Sequence, residues 1–301
     1  MGQRFEDRKD NRMQERKPLS PKMDIVFQKL LGEQKNARLT KDLLEKILQR
    51  EINCIDLSKT TRVTADMPDD KMGILDIRAE LDGVEKCDIE MQMIDQKGLI
   101  ERMLFYWSRL FTEGFKEGEE YEQLQKTIVI LIANFKLKPL KDLGYHTKWK
   151  IIDEDERKVI LTDKLEFHII ELPKIQGKEE EDDALLDWLF FLDDPASERA
   201  KKSMEENETI QEATEELNKL KDDEEMQRLA LSRWIALSDY NTNMSAMKKE
   251  GLEEGMKAGI KEGIKEGKKE VAKELLKMKL SIQDIAKATG LTEAEIKALQ
   301  D

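Results

Sequence analysis

Two carboxylates at a defined spacing carry the clearest chemical signal in this 301-residue chain: Asp76 and, fourteen positions later, Glu90. Each lies in a stretch that alternates in polarity. Over residues 74–81, Leu75, Ile77, Ala79 and Leu81 fall on one face and Asp76, Arg78 and Glu80 on the other. Over residues 87–94, Cys87, Ile89, Met91 and Met93 oppose Asp88, Glu90 and Gln92 in the same way. Strand side chains point alternately to the two faces, so both stretches predict strands with one apolar and one polar side. Asp82-Gly83 between them is a hairpin signal.

If the apolar faces share one core, the register follows. A turn of Asp82-Gly83 alone sets Asp76 opposite Ile89 and sends the carboxylates to opposite faces. The longer loop Asp82-Gly83-Val84 sets Asp76 opposite Glu90, Ile74 opposite Gln92 and Arg78 opposite Asp88. A slip of one residue reverses every side chain, so the apolar pattern selects the longer loop. Carboxylates directly across a ladder repel. A hard divalent cation removes that repulsion, because Mg²⁺ is held by one or two carboxylates together with waters and substrate phosphate. The competing reading is a solvated polar face, in keeping with a chain that is 39% charged.

Four spaced segments extend the pattern: SPKMDIVFQKLLGEQKN at 20–36, LDIRAELDG at 75–83, DIEMQ at 88–92 and ERMLFYWSRLFTEGFKEGEEYEQL at 101–124. Together they resemble the recombination-promoting nucleases (Rpn), the PD-(D/E)XK nuclease family transposases, from about residue 18 to 135 and more loosely beyond. The Asp76…Glu90-Met91-Gln92 series is similar to the D…E-x-Q form of that core. The resemblance implies a restriction-endonuclease-like α/β fold that hydrolyses DNA phosphodiesters with Mg²⁺ or Mn²⁺. It implies roles in DNA mobility, recombination or defence. Asp76 and Glu90 would be metal ligands, with Asp24 a further acidic candidate, and Gln92 would complete the catalytic set. Gln92 stands where the wider superfamily has lysine.

Other elements must position this hairpin. Residues 24–31 and 39–48 read as helices, and Asp24 can equally serve as an N-cap satisfying free amides. Residues 60–64 read as a leading strand. Residues 99–113 form an apolar helical stripe, with Arg102, Tyr106 and Arg109 on another strip. Those three suit a grip on a phosphate backbone, or salt bridges to Glu101, Glu113 or Glu117. The run KTIVILIA at 126–133 predicts a central strand buried on both faces. It follows the helical crossover and completes a helix, three-strand, helix, strand order. Residues 148–152 and 165–172 predict two more strands, with a turn at 153–157. His146 and His168, the only histidines, lack a second ligand at metal spacing and read as ordinary polar residues.

From about residue 184 the pattern is helical. Gly251, Gly255, Gly259, Gly263 and Gly267 recur every fourth position, the first four followed by Leu252, Met256, Ile260 and Ile264. Interior glycines weaken a helix, so this repeat is either a weak helical linker or a close-packing surface in a homo-oligomer. At the end, SIQDIAKATGLTEAEIKAL has capping boxes at Ser281/Asp284 and Thr292/Glu295, with Gly290 as a stop. It resembles a helix-turn-helix. Its few basic residues leave DNA reading and helical packing or dimerisation both open.

Composition bounds the rest. A net charge of −13 excludes a generally basic nucleic-acid coat and requires a local patch or bound metal for any phosphate contact. Cys54 and Cys87 are too few for a disulfide framework. The sequence has no signal-like or membrane-length apolar run, so a cytoplasmic protein is expected. The expected organisation is a disordered segment at 1–17, a nuclease-like domain at 18–240 with its core at 18–135, a glycine-repeat helical linker at 241–270 and a small helical tail at 271–301. The alternative to a DNA endonuclease is a catalytically inactive nuclease-fold scaffold acting in interaction or oligomerisation.

Overall fold

The computed structural model describes residues 19–57, 62–63, 73–74 and 77–299. The segment at 1–17 and residues 60, 61 and 64 of the expected leading strand lie outside them, as does Asp76. Among the described residues a six-stranded mixed sheet forms the centre. Its strands are β1 (Ile55–Asp56), β4 (Ile77–Leu81), β5 (Glu85–Gln92), β6 (Lys126–Ala133), β8 (Ile160–Glu171) and β7 (His146–Ile152), in that spatial order. A separate ladder pairs β2 (Arg62–Val63) with β3 (Gly73–Ile74), setting Ile74 opposite Arg62.

The hairpin has the longer loop. Arg78 lies opposite Asp88 and Leu81 opposite Glu85, leaving 82–84 as the connection. Asp82 and Gly83 both take positive φ, 53° and 71°, a conformation that aspartate tolerates and glycine favours. The Asp82 Oδ1 also accepts hydrogen bonds from the Asn53 and Cys54 amides at 2.8 and 2.9 Å. Those bonds, the one from Cys54 foremost, hold its carboxyl below the usual range and pin the turn to the chain before β1.

The apolar faces do share a core. Ile77, Ala79, Leu81, Cys87, Ile89 and Met91 are buried with Ile128, Ile130 and Ile132 of β6. Over them pack α1 (Asp24–Leu31), α2 (Ala37–Leu48), α4 (Ala184–Asp193) and α6 (Glu208–Asp222), through Phe27, Leu44, Trp188 and Ile210 among others. The short α5 (Glu198–Glu206) joins α4 to α6. Burial makes the Cys87 thiol hard to ionise.

The other face is covered by α3 (Leu99–Thr112), the crossover from β5 to β6. Leu99 and Met103 pack on Val129, Leu131, Ala133, Phe167 and Ile169. β6 therefore gives side chains to both layers, as its unbroken apolar run requires. The final strands are longer than expected: β7 starts two residues earlier, at His146, and β8 begins at Ile160, close to the hairpin tip at 153–159.

Two compact units divide the chain, Met1–Arg233 and Trp234–Asp301. The helix α7 (Glu224–Lys277) buries Met226 and Ala230 in the first unit. In the second, Ala272 packs with Ile285 of α8 (Ile282–Thr289) and Ile296 of α9 (Glu293–Lys297). Gly290 caps α8 in the left-handed conformation, and Thr292 and Glu295 form a reciprocal capping box. Among the described residues no helix is long and apolar enough to cross a membrane.

Candidate active site

In the parallel pair of β5 and β6, Asp88, Glu90 and Gln92 align with Val129, Leu131 and Ala133. They therefore point to the layer of α3, opposite the main core. Glu90 is 3% exposed and Asp88 fully buried. The Gln92 Nε2 donates to Glu90 Oε2 at 3.1 Å, so an amide steers the carboxylate in the position where the wider motif has a cation. The strand end is fixed by the Asn134 amide, which donates to the Gln92 carbonyl at 2.9 Å. Asp76 lies outside the described residues, one position before Ile77, whose partner is Ile89. Among the described residues no group of three or more His, Cys, Asp or Glu converges as a metal cage.

Two buried cations lie on the same polar face; alternation places Arg78 there but gives neither cation its partners. Lys86, 7% exposed, donates through Nζ to the Leu110 and Glu113 carbonyls at 2.9 and 2.7 Å. Those carbonyls close the C-terminal end of α3, where a positive charge also meets the helix dipole. Arg78 grips the Glu113 carboxylate with both terminal nitrogens. A cavity of about 620 Å³ opens beside this clamp, lined by Arg78, Lys86, Phe111 and Phe115 among others. The strand bearing Glu90 thus also anchors the helix that covers it.

On α3, Arg102, Tyr106 and Arg109 are half-buried. Arg102 donates to Gln96 at 3.0 Å and lies 6.0 Å from the Tyr106 ring centroid. Glu113 is taken by Arg78. Asp24 opens α1, accepts from the Ile25 amide at 2.8 Å and meets Arg233 at 3.4 Å. Val26, Phe27, Leu30 and Leu31 of α1 pack on the apolar side of the hairpin, and Asp24 stands half-buried at the start of that helix.

The histidines are not ordinary polar residues. His168 is fully buried, with Nε2 at 2.8 Å from Glu166 Oε1 and Nδ1 at 2.8 Å from His146 Nε2. Spacing in the sequence gives no hint of this, because the two are brought together by the β7–β8 ladder. What could have flagged it is His168 sitting among apolar residues in a core strand.

A mixed sheet with a crossover helix on one face, an acidic hairpin and helices on the other defines the nuclease fold of the PD-(D/E)XK class. The chain belongs to the PD-(D/E)XK nuclease family transposases, whose family model matches residues 21–247. Residues 265–301 match the C-terminal helix-turn-helix domain of the Rpn/YhgA-like nuclease family. No curated protein and no solved structure matches the chain.

Proposed function

We propose that this protein is a metal-dependent DNA endonuclease, with Asp76 and Glu90 as metal ligands and Gln92 as their catalytic companion. The observation that carries the reading is Glu90: a nearly inaccessible carboxylate, on the polar face of the family's hairpin, with an amide directed at it. Its hard oxygen donors fit Mg²⁺, or Mn²⁺, better than a softer metal. When bound, the ion activates a water and offsets charge on the scissile phosphate.

The chain's own residues do the positioning. Glu90 is held by the Gln92 amide, which can also orient a water or a phosphate oxygen. Gln92 brings neither positive charge nor a base near neutral pH, so the rate rests on the metal and on geometry. Arg102, Tyr106 and Arg109 would contact the phosphate backbone from α3, and Asp24 is a further acidic candidate for the metal. The helix-turn-helix supports DNA as the partner, and the family's transposase character supports a setting in mobility, recombination or defence. The unpaired thiols Cys54 and Cys87 favour a reducing, cytoplasmic location. We extend the proposal to self-association through α7, where Leu252, Met256, Ile260 and Ile264 are each more than half exposed.

Calorimetric titration with Mn²⁺ tests the ligand set. Asp76→Asn and Glu90→Gln should each weaken binding by at least about tenfold, since even outer partners of a metal ligand are worth that much. Equal affinity in all three proteins would remove the metal from this hairpin and favour the inactive scaffold.

A further inference from the structure

We propose that Glu166, His168 and His146 form a proton-sharing clasp that fastens the edge strand β7 to β8 and opens when the two imidazoles together take up a second proton. The geometry fixes where the hydrogens lie. Glu166 accepts ion pairs from Lys126 at 2.8 Å and Lys150 at 3.4 Å, so it is an ionised acceptor and His168 Nε2 must donate to it. In neutral His168 the Nδ1 then carries no hydrogen and accepts from His146 Nε2–H. The ring centroids lie 5.1 Å apart while the nitrogens are 2.8 Å apart. The nitrogens therefore lie between the rings, and the bond runs edge to edge.

One added proton leaves the clasp intact. It binds His146 Nδ1, and the Nε2 proton crosses to His168 Nδ1. The charge then rests on His168 against Glu166, with the N–H···N bond preserved in the opposite sense. A second proton cannot be shared. Both facing nitrogens would carry hydrogens at 2.8 Å, and two positive rings would repel. Burial and the neighbouring His168 already pull the His146 pKa down to about 4, so the opening belongs to acid conditions.

The surrounding charges act on this balance from each packed element. Lys148, opposite His168 on β7, donates to Gln49 beyond α2 at 2.6 Å and disfavours protonation. Lys126 on β6 and Lys150 on β7 face the clasp through their ion pairs with Glu166. Asp183, the N-cap of α4 that also accepts from the Tyr145 hydroxyl, favours it. Because β7 is the last strand of the sheet, its loss leaves β4, β5 and β6 paired.

Only these two histidines exist in the chain, so ¹⁵N-histidine labelling of the full protein reports on them alone. Across a pH titration the two protons should enter in steps separated by at least about one pH unit. The shared N–H signal and the amide protection of β7 should both vanish at the second step. His146→Phe should speed amide exchange in β7 at least about tenfold at neutral pH, with β5 and β6 unchanged, and should abolish the acid step. Two independent titrations near the ordinary histidine value, or β7 protection indifferent to the second proton or to His146→Phe, would overturn the clasp.

Discussion

Lys86 brings an ammonium into a nearly closed space and meets two backbone carbonyls that α3 cannot satisfy itself. Truncating it removes the ammonium from the buried Leu110 carbonyl and the partly buried Glu113 carbonyl. Lys86→Met should therefore cost about 2 kcal/mol in urea unfolding, the range of a hydrogen bond to a charged group. A change below about 0.5 kcal/mol, the scale of an ordinary surface substitution, would show that the clamp does not hold α3. Alternation alone gave Arg78 opposite Asp88, because both strands of a hairpin share one local register. It could not give Lys86 its partners, which lie across the crossover and have no side-chain signature. The histidine pair was missed for the same reason: its register is set by a long hairpin, whereas metal spacing rules look for neighbours along the chain.

At the scale of elements, the signals that survived are local ones. The caps at Ser281, Gly290 and Thr292 are each formed within a few residues, so the tail helices are readable from their ends. The glycine repeat is different. It lies within one long helix, and a Cβ at Gly251, Gly255, Gly259, Gly263 or Gly267 would meet nothing within 4 Å. Around the axis the repeat cycles through glycine, isoleucine, lysine and glutamate throughout 259–266. Parallel copies set a glutamate flank against a lysine flank, whereas antiparallel copies set like against like. Gly259→Ala with Gly263→Ala separates the two roles. Each change should stiffen an isolated helix by up to about 1 kcal/mol. If the glycines seat a second copy, the same changes should shift light-scattering mass toward the monomer. A stiffer helix with unchanged mass would leave the repeat as a linker.

For the whole molecule, a net charge of −13 opposes approach to DNA. If the chain cuts DNA, as proposed, the contact must be local. The polar row of β5 is nearly withdrawn from solvent, α3 brings two arginines to the same layer, and the second unit carries the helix-turn-helix. The hairpin and central strand were readable because polarity alternation and an apolar run dictate layers directly, whereas the fold class came from the resemblance carried by the spaced segments. The site is less so, since Asp76 lies outside the described residues and the contact of Gln92 with Glu90 depends on side-chain conformation, which alternation does not give.

The most direct measurement is cleavage of supercoiled plasmid by the full chain with Mg²⁺ or Ca²⁺, beside Glu90→Ala. Nicking with Mg²⁺ that is absent in the variant, and absent with Ca²⁺, is the predicted result. No cutting under any condition, or equal cutting by both proteins, would contradict catalysis by this hairpin.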